Sequence, residues 1–191
     1  MNFNTKKEYC EEVHNRVIGW TENCDLKASI LLTFIGIVLT FIFTSDYILP
    51  SIEKIISPIC KYWKFKSGEF DLFAFLILFF FILGLVLMII SINNVLKVLK
   101  AKTVVFCEDK NKKGFYFFRS IQTFSSFDEY VQGLNIQTEE NLIKEKLNEI
   151  YICSKRCNEK FDQYNNSVKF FKWGMFSLGV SIILLLIFNS K

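Results

Sequence analysis

Charge is missing altogether from three stretches of this chain, Ala28 to Ser45, Leu72 to Ile92 and Trp173 to Phe188. A soluble domain would scatter its apolar residues with amphipathic periodicity, so their concentration into three runs excludes an ordinary water-soluble globule. Histidine is nearly absent as well. His14 is the one imidazole, and Cys10, Cys24, Cys60, Cys107, Cys153 and Cys157 form no CxxC pair, which leaves a zinc site without a ligand set. There is no Gly-rich phosphate loop, no HExxH and no GxSxG. The acid pairs Glu139–Glu140 and Asp128–Glu129 read as helix N-terminal charges, so neither an enzyme nor a cofactor is expected. Pro50 and Pro58 are the only prolines, and nothing breaks a helix running into the first or the third run.

What is present is a membrane layout. At about 1.5 Å of rise per residue the runs measure roughly 27, 31 and 24 Å, against a hydrocarbon core of about 30 Å. The expected fold class is an all-α membrane protein with three transmembrane helices and a cytosolic helical bundle, with room for a small β-hairpin near 103–118. Polar residues precede the first run and no small-residue cleavage pattern follows it, so it reads as a retained anchor. The expected divisions are a cytosolic N-terminal amphipathic helix over 1–27, spans over 28–45, 72–92 and 173–188, an outer loop with an interfacial helix over 46–71, a cytosolic sensing segment over 93–172 and an outer tail over 189–191. Lysine and arginine set the orientation. The segment from Asn93 to Lys172 carries 14 Lys and Arg against four Lys in the loop between the first two runs, which places the N-terminus in the cytosol, and its excess over 10 Asp and Glu suits anionic headgroups at the inner leaflet. It is too sparse a basic stripe for nucleic acid.

Cys10, Val13, Val17, Trp20 and Cys24 draw one stripe along an N-terminal helix, and Ser29, Thr33, Gly36 and Thr40 continue the spacing inside the first span. Small and hydroxylated residues let helices in lipid approach closely, either between chains of a homo-oligomer or against the second span of the same chain. Ile52, Ile55, Ile56 and Ile59, with Tyr62, Trp63 and Phe65 after them, predict a short lipid-facing surface helix that starts at Pro50 and ends at Pro58. Ser126 and Glu129 offer a capping box for a helix ending near Gly133. Ile143, Leu147, Ile150, Ser154, Cys157, Phe161, Tyr164, Val168 and Phe171 alternate at four and three over four heptads, with Thr138 as N-cap, and predict one helix running into the third span.

Binding is the chemistry the residues allow. Phe115, Tyr116, Phe118 and Arg119 lie beside Lys112 and Lys113, so aromatic faces for a base and cations for a phosphate occur together; the same aromatics also suit a small core. At the mouth of the first span stand Trp20, Asp25 and Lys27. Lys27 suits snorkelling to headgroups, whereas Asp25 suits a hydrogen bond to the cytosolic bundle.

Trp20 with Asp25-Leu26-Lys27-Ala28-Ser29 running into an apolar span resembles the start of the Pycsar transmembrane effector family. Phe117-Phe118 with Ile121, the Ser126 to Tyr130 stretch, and the helix around Ile150, Ser154, Lys160 and Phe161 resemble it in the same order. The resemblance implies a small bacterial anti-phage effector, triggered by cyclic CMP or cyclic UMP to impair the inner membrane and stop growth. It does not identify the nucleotide-contacting residues. The rival reading is a structural or regulatory subunit that docks a partner protein through its cytosolic rod.

Overall fold

The computed structural model describes residues 3–65, 72–100, 114–116 and 118–189, and the side chains among them except those of residues 3, 4, 58–65, 118, 119 and 189. Six helices follow one another: α1 (Phe3–Thr44), α2 (Ile48–Phe65), α3 (Leu72–Leu99), α4 (Phe118–Ile121), α5 (Phe127–Ile136) and α6 (Glu139–Asn189). No strand occurs among the described residues. The expected hairpin near 103–118 lies largely outside them; Gly114 to Tyr116 form no strand, and α4 starts at Phe118. α1, α3 and α6 are long and apolar enough to cross a membrane. The chain is therefore an all-α membrane protein.

Two compact units form. Residues 1–25 and 100–161 make one, and residues 26–99 and 162–191 the other, so α1 and α6 contribute a segment to each.

The second unit holds the apolar runs and is organised for lipid. Large apolar side chains face outward, among them Ile30, Ile37 and Phe41 of α1, Phe75, Ile82 and Ile89 of α3, and Phe176 and Ile183 of α6. Serine and glycine lie inside. Ser91 and Ser167 each donate to the other's backbone carbonyl at 2.9 Å, Ser177 donates to the Phe80 carbonyl at 2.7 Å, and Ser181 to that of Ile77 at 3.0 Å. These partners descend along α3 as they ascend along α6, so the two helices are antiparallel. Hydroxyls that bond across helices and small residues that admit a neighbouring backbone are the means by which helices associate where lipid removes the hydrophobic drive. At the crossing, a Cβ on Gly84 would stand 2.6 Å from Leu178 Cγ and 3.1 Å from its backbone nitrogen.

Along α3 the residues turned inward are Ala74, Ile77, Phe81, Gly84, Met88, Ser91, Val95 and Val98, at alternating spacings of three and four, with Asn94 beside Val95. Ile35 and Ile42 of α1 and Leu178 and Leu185 of α6 belong to the same cluster, and Phe34 meets Phe171 edge-on at 5.7 Å between ring centroids.

α2 departs from expectation at both ends. It starts at Ile48, where the Ser45 hydroxyl accepts from the Ile48 amide at 3.4 Å, so Pro50 sits in its first turn, where no intrahelical donor is lost. It also continues past Pro58 to Phe65. Ile48, Ile52 and Ile55 are buried in the core cluster instead of facing lipid, and among the isoleucines of α2 with described side chains Ile56 is exposed, at 42%. The aromatic anchor expected at Tyr62, Trp63 and Phe65 lies among the side chains outside the description.

Overpacking a helix crossing costs about 1–3 kcal/mol. Gly84→Val should therefore lower the thermal midpoint of the detergent-purified protein by several degrees, as read by circular dichroism. Gly179→Ala, where an added Cβ meets nothing within 4 Å, should not lower it.

Candidate functional site

In the first unit α1 and α6 lie side by side. Lys160 Nζ donates to both carboxylate oxygens of Asp25, at 2.6 and 2.7 Å, and Lys146 Nζ stands 3.7 Å from Glu11. Both pairs join residues 135 positions apart, so the helices run parallel and in register over these two heptads. The seam between them carries Cys10, Val17 and Cys24 of α1, with Ile150 and Cys157 of α6, all buried. The Asp25 carboxylate thus bonds across to α6 through Lys160.

The seam departs in places from the apolar stripe. On α1 Val13 and His14 are both half-buried between Cys10 and Val17, and Thr21 is half-buried between Val17 and Cys24, whereas Trp20 is 57% exposed. On α6, Ile150 and Cys157 are buried and Tyr164 and Phe171 half-buried; between them Cys153 is half-buried where Ser154 is exposed, Lys160 and Phe161 are both half-buried, and Ser167 is buried beside half-buried Val168, while Leu147 is 45% exposed. The signal for Lys160 was its one-residue offset from Phe161, which the larger apolar side chain concealed.

Gly114 to Tyr116 and α4 and α5 pack on one side of this pair. Glu145 accepts from the Phe115 amide at 2.9 Å, and a Cβ on Gly114 would fall 2.5 Å from the same carboxylate oxygen. The ring of Phe115 lies 5.3 Å from Phe124 and 5.8 Å from Tyr130, above Gly133, where any Cβ would touch Phe115 and Phe124. Ser126 caps α5 by accepting from the Glu129 amide at 3.1 Å, while the Glu129 carboxylate turns back to the Ser125 amide at 2.7 Å; the helix extends to Ile136, beyond the expected end near Gly133. Thr138 caps α6, accepting from the Asn141 amide at 3.3 Å.

Phe115 is therefore a packed ring, and Tyr116 beside it is 40% exposed. Partial burial raises the Tyr116 hydroxyl pKa, and the negative charges of Glu145, Glu149 and Glu11 add to the rise. Lys112 and Lys113 lie outside the described residues, as do the side chains of Phe118 and Arg119. Lys27 is exposed, and so are Ser29, Thr33, Gly36 and Thr40. The structure thus turns the small-residue stripe outward and does not pack it against the second span. Thr33 and Thr40 donate to the carbonyls of Ser29 and Gly36 on their own helix.

Cys10, Cys24, Cys153 and Cys157 are free thiols. Burial, helped by Glu149 and opposed by Arg156, pushes the Cys153 thiol up, which lowers its thiolate fraction at neutral pH.

Residues 9–188 match the family described as the Pycsar effector protein domain, PycTM. Over 184 residues the chain is 33% identical to the Pycsar effector protein GmPycTM of Gulbenkiania mobilis, an alignment spanning 93% of this chain and 90% of that protein. No solved structure matches.

Asp25 and Lys160 are each partly exposed, so solvent screening limits their pair to about 1 kcal/mol. A double-mutant cycle with Asp25→Asn and Lys160→Met, followed by thermal unfolding, should return a coupling of about that size; zero coupling would reduce the pair to a surface contact. Cys153 should react with a maleimide more slowly at pH 7 than a free cysteine does, and faster as pH rises, because only the thiolate attacks.

Proposed function

Because this chain belongs to the Pycsar effector family PycTM, we propose that it is a non-enzymatic effector of a bacterial anti-phage defence system that responds to cyclic CMP or cyclic UMP by disrupting the inner membrane, so that the infected cell stops growing. The match over residues 9–188 carries this reading, since it takes in both units of the fold. The N-terminus and the first unit lie in the cytosol, where a nucleotide signal is made.

The nucleotide is read beside α4. Tyr116 offers an exposed ring face, Phe115 backs it through the Phe124 and Tyr130 cluster, and Phe118, Arg119, Lys112 and Lys113 supply a further ring and cations for the cyclic phosphate. Binding favours one arrangement of the α1–α6 pair over another, and only that differential affinity shifts the population. What supports transmission is continuity: α1 and α6 each run without interruption from the first unit into the apolar runs. In the membrane the outward stripe of Ser29, Thr33, Gly36 and Thr40 meets a second copy, giving a homo-oligomer. None of the three charge-free runs supplies a selectivity ring, so the leak is nonselective.

Calorimetry on the purified protein with cyclic CMP and cyclic UMP tests the first step. One of the two should bind, and Arg119→Glu should abolish it; retained affinity in that variant would remove the aromatic and basic cluster from the site. For the second step, co-expression with the cognate cyclase should collapse the membrane potential reported by a dye, and Gly36→Leu should reduce that response severalfold. Growth arrest with the potential intact would refute membrane disruption.

A further inference from the structure

The α1–α6 pair of the first unit has two sides, and among the described residues those from Gly114 onward pack against one of them. Along α1, with its seam on Cys10, His14, Val17, Thr21 and Cys24, residues 11, 18 and 25 fall on one flank and residues 9, 13, 16 and 20 on the other. Along α6, with its seam on Ile150, Cys153, Cys157 and Lys160, residues 145, 149, 152 and 156 fall on one flank and residues 144, 147, 151 and 154 on the other. Because the helices are parallel and in register, the flank of Glu11 and the flank of Glu145 and Glu149 share a side. The segment from Gly114 onward occupies that side, through the Phe115 amide on Glu145 and Tyr116 in the field of Glu145, Glu149 and Glu11.

The opposite side is exposed and carries aromatic residues from both helices. Tyr9 is 54% exposed, Trp20 57% and Tyr151 69%, with Leu147 between them at 45%. Single exposed apolar residues are ordinary, but four on one side of one helix pair form a patch. Its charges are arranged in a particular order. The offset of 135 positions that relates Asp25 to Lys160 also relates Tyr9 to Lys144 and Arg16 to Tyr151. At each of these two levels one helix offers a ring and the other a cation, both exposed, with Arg16 also paired to Glu12 one turn back on its own helix.

We propose that this side is the interface with a second copy of the same chain. A two-fold axis parallel to the helix pair relates two copies of the same orientation and preserves levels along the pair. A two-fold axis in front of the patch sets α1 of one copy against α6 of its partner, so Tyr9 meets the other copy's position 144 and Arg16 its position 151. Each cation–π contact is then made twice in a self-complementary interface, with Trp20 and Leu147 near the axis. The inference goes beyond the nucleotide reading, since the pairing needs no ligand.

Crosslinking in native membranes tests it. Tyr9→Cys and Lys144→Cys are placed on separate, differently tagged copies of the full chain, with tagged wild-type pairs as the blank, and a short bis-maleimide is added without nucleotide. The mixed 9–144 product should dominate, and it should persist in Gly36→Leu, which keeps this outcome separate from any failure of the stripe on the first span. Mass photometry of the purified protein should give dimers, and Trp20→Ala/Tyr151→Ala should weaken self-association by about tenfold or more with helix content unchanged, the loss expected on truncating buried aromatic anchors; Tyr151→Phe should not. Predominance of 9–9 or 144–144 products, a monomer in the membrane, higher rings built on the mixed product, or dimers indifferent to the alanine variant would each overturn the proposal.

Discussion

A helix that passes from water into lipid has to keep one face turned to its partners while the chemistry of its other face reverses. α1 meets that constraint with an unbroken seven-residue period: Cys10, Val17 and Cys24 are buried, and so are Ala28, Ile35 and Ile42. α6 keeps the same alternation from Ile150 through Cys157 to Ser167, Leu178 and Leu185. A period of seven in place of the natural 3.6 residues per turn holds the seam in line over such lengths only if the helices supercoil to the left, so one geometric choice serves both units. What changes along the way is the solvent-facing set, from Glu8, Glu12 and Arg16 to Ile30, Ile37 and Phe41.

That constraint also decides what the chain discloses by itself. The existence of three spans, the two long helices and the caps at Ser126 and Thr138 were legible because each rests on local signals: absence of charge, periodicity, and a hydroxyl before an acidic turn. The phase of the seam was legible only at every second position. A reader of hydropathy chooses Trp20 over Thr21, Phe161 over Lys160 and Val168 over Ser167, since the larger apolar residue is the better candidate for burial in water. Here the inner positions favour residues that admit a close neighbour or bond across to it. Lys160 sits inside because Asp25 is opposite, and Ser167 because Ser91 is. Neither partner is near in sequence, so a single chain read alone can suggest that Asp25 bonds to the bundle but not that Lys160 is the residue it meets.

The same reasoning explains α2. Isoleucines at helical spacing amid lysines describe an amphipathic surface, and whether that surface meets lipid or protein depends on what the fold brings beneath it. Ile48, Ile52 and Ile55 found the core cluster around α3. Aromatics at 115–118 posed the matching ambiguity in the first unit; Phe115 went to a cluster with Phe124 and Tyr130, and Tyr116 beside it is exposed.

Differences in how α1 and α6 are held bear on which element is free to rearrange in lipid. α6 is tied to α3 by hydroxyls that donate to backbone carbonyls of the facing helix, and by glycines whose replacement would force the backbones apart. Separating that pair would leave serine hydroxyls facing hydrocarbon, where an unmade hydrogen bond is costly. On α1 the hydroxyls of Thr33, Thr40 and Thr44 donate to carbonyls one turn earlier on their own helix. They stay satisfied wherever the helix goes. One of its side-chain contacts in that unit, Phe34 on Phe171, is dispersive, and dispersion against a protein neighbour is closely replaced by dispersion against lipid. These threonine hydroxyls therefore add no hydrogen-bond cost to a rotation or translation of α1, the span whose outward face carries Thr33, Gly36 and Thr40.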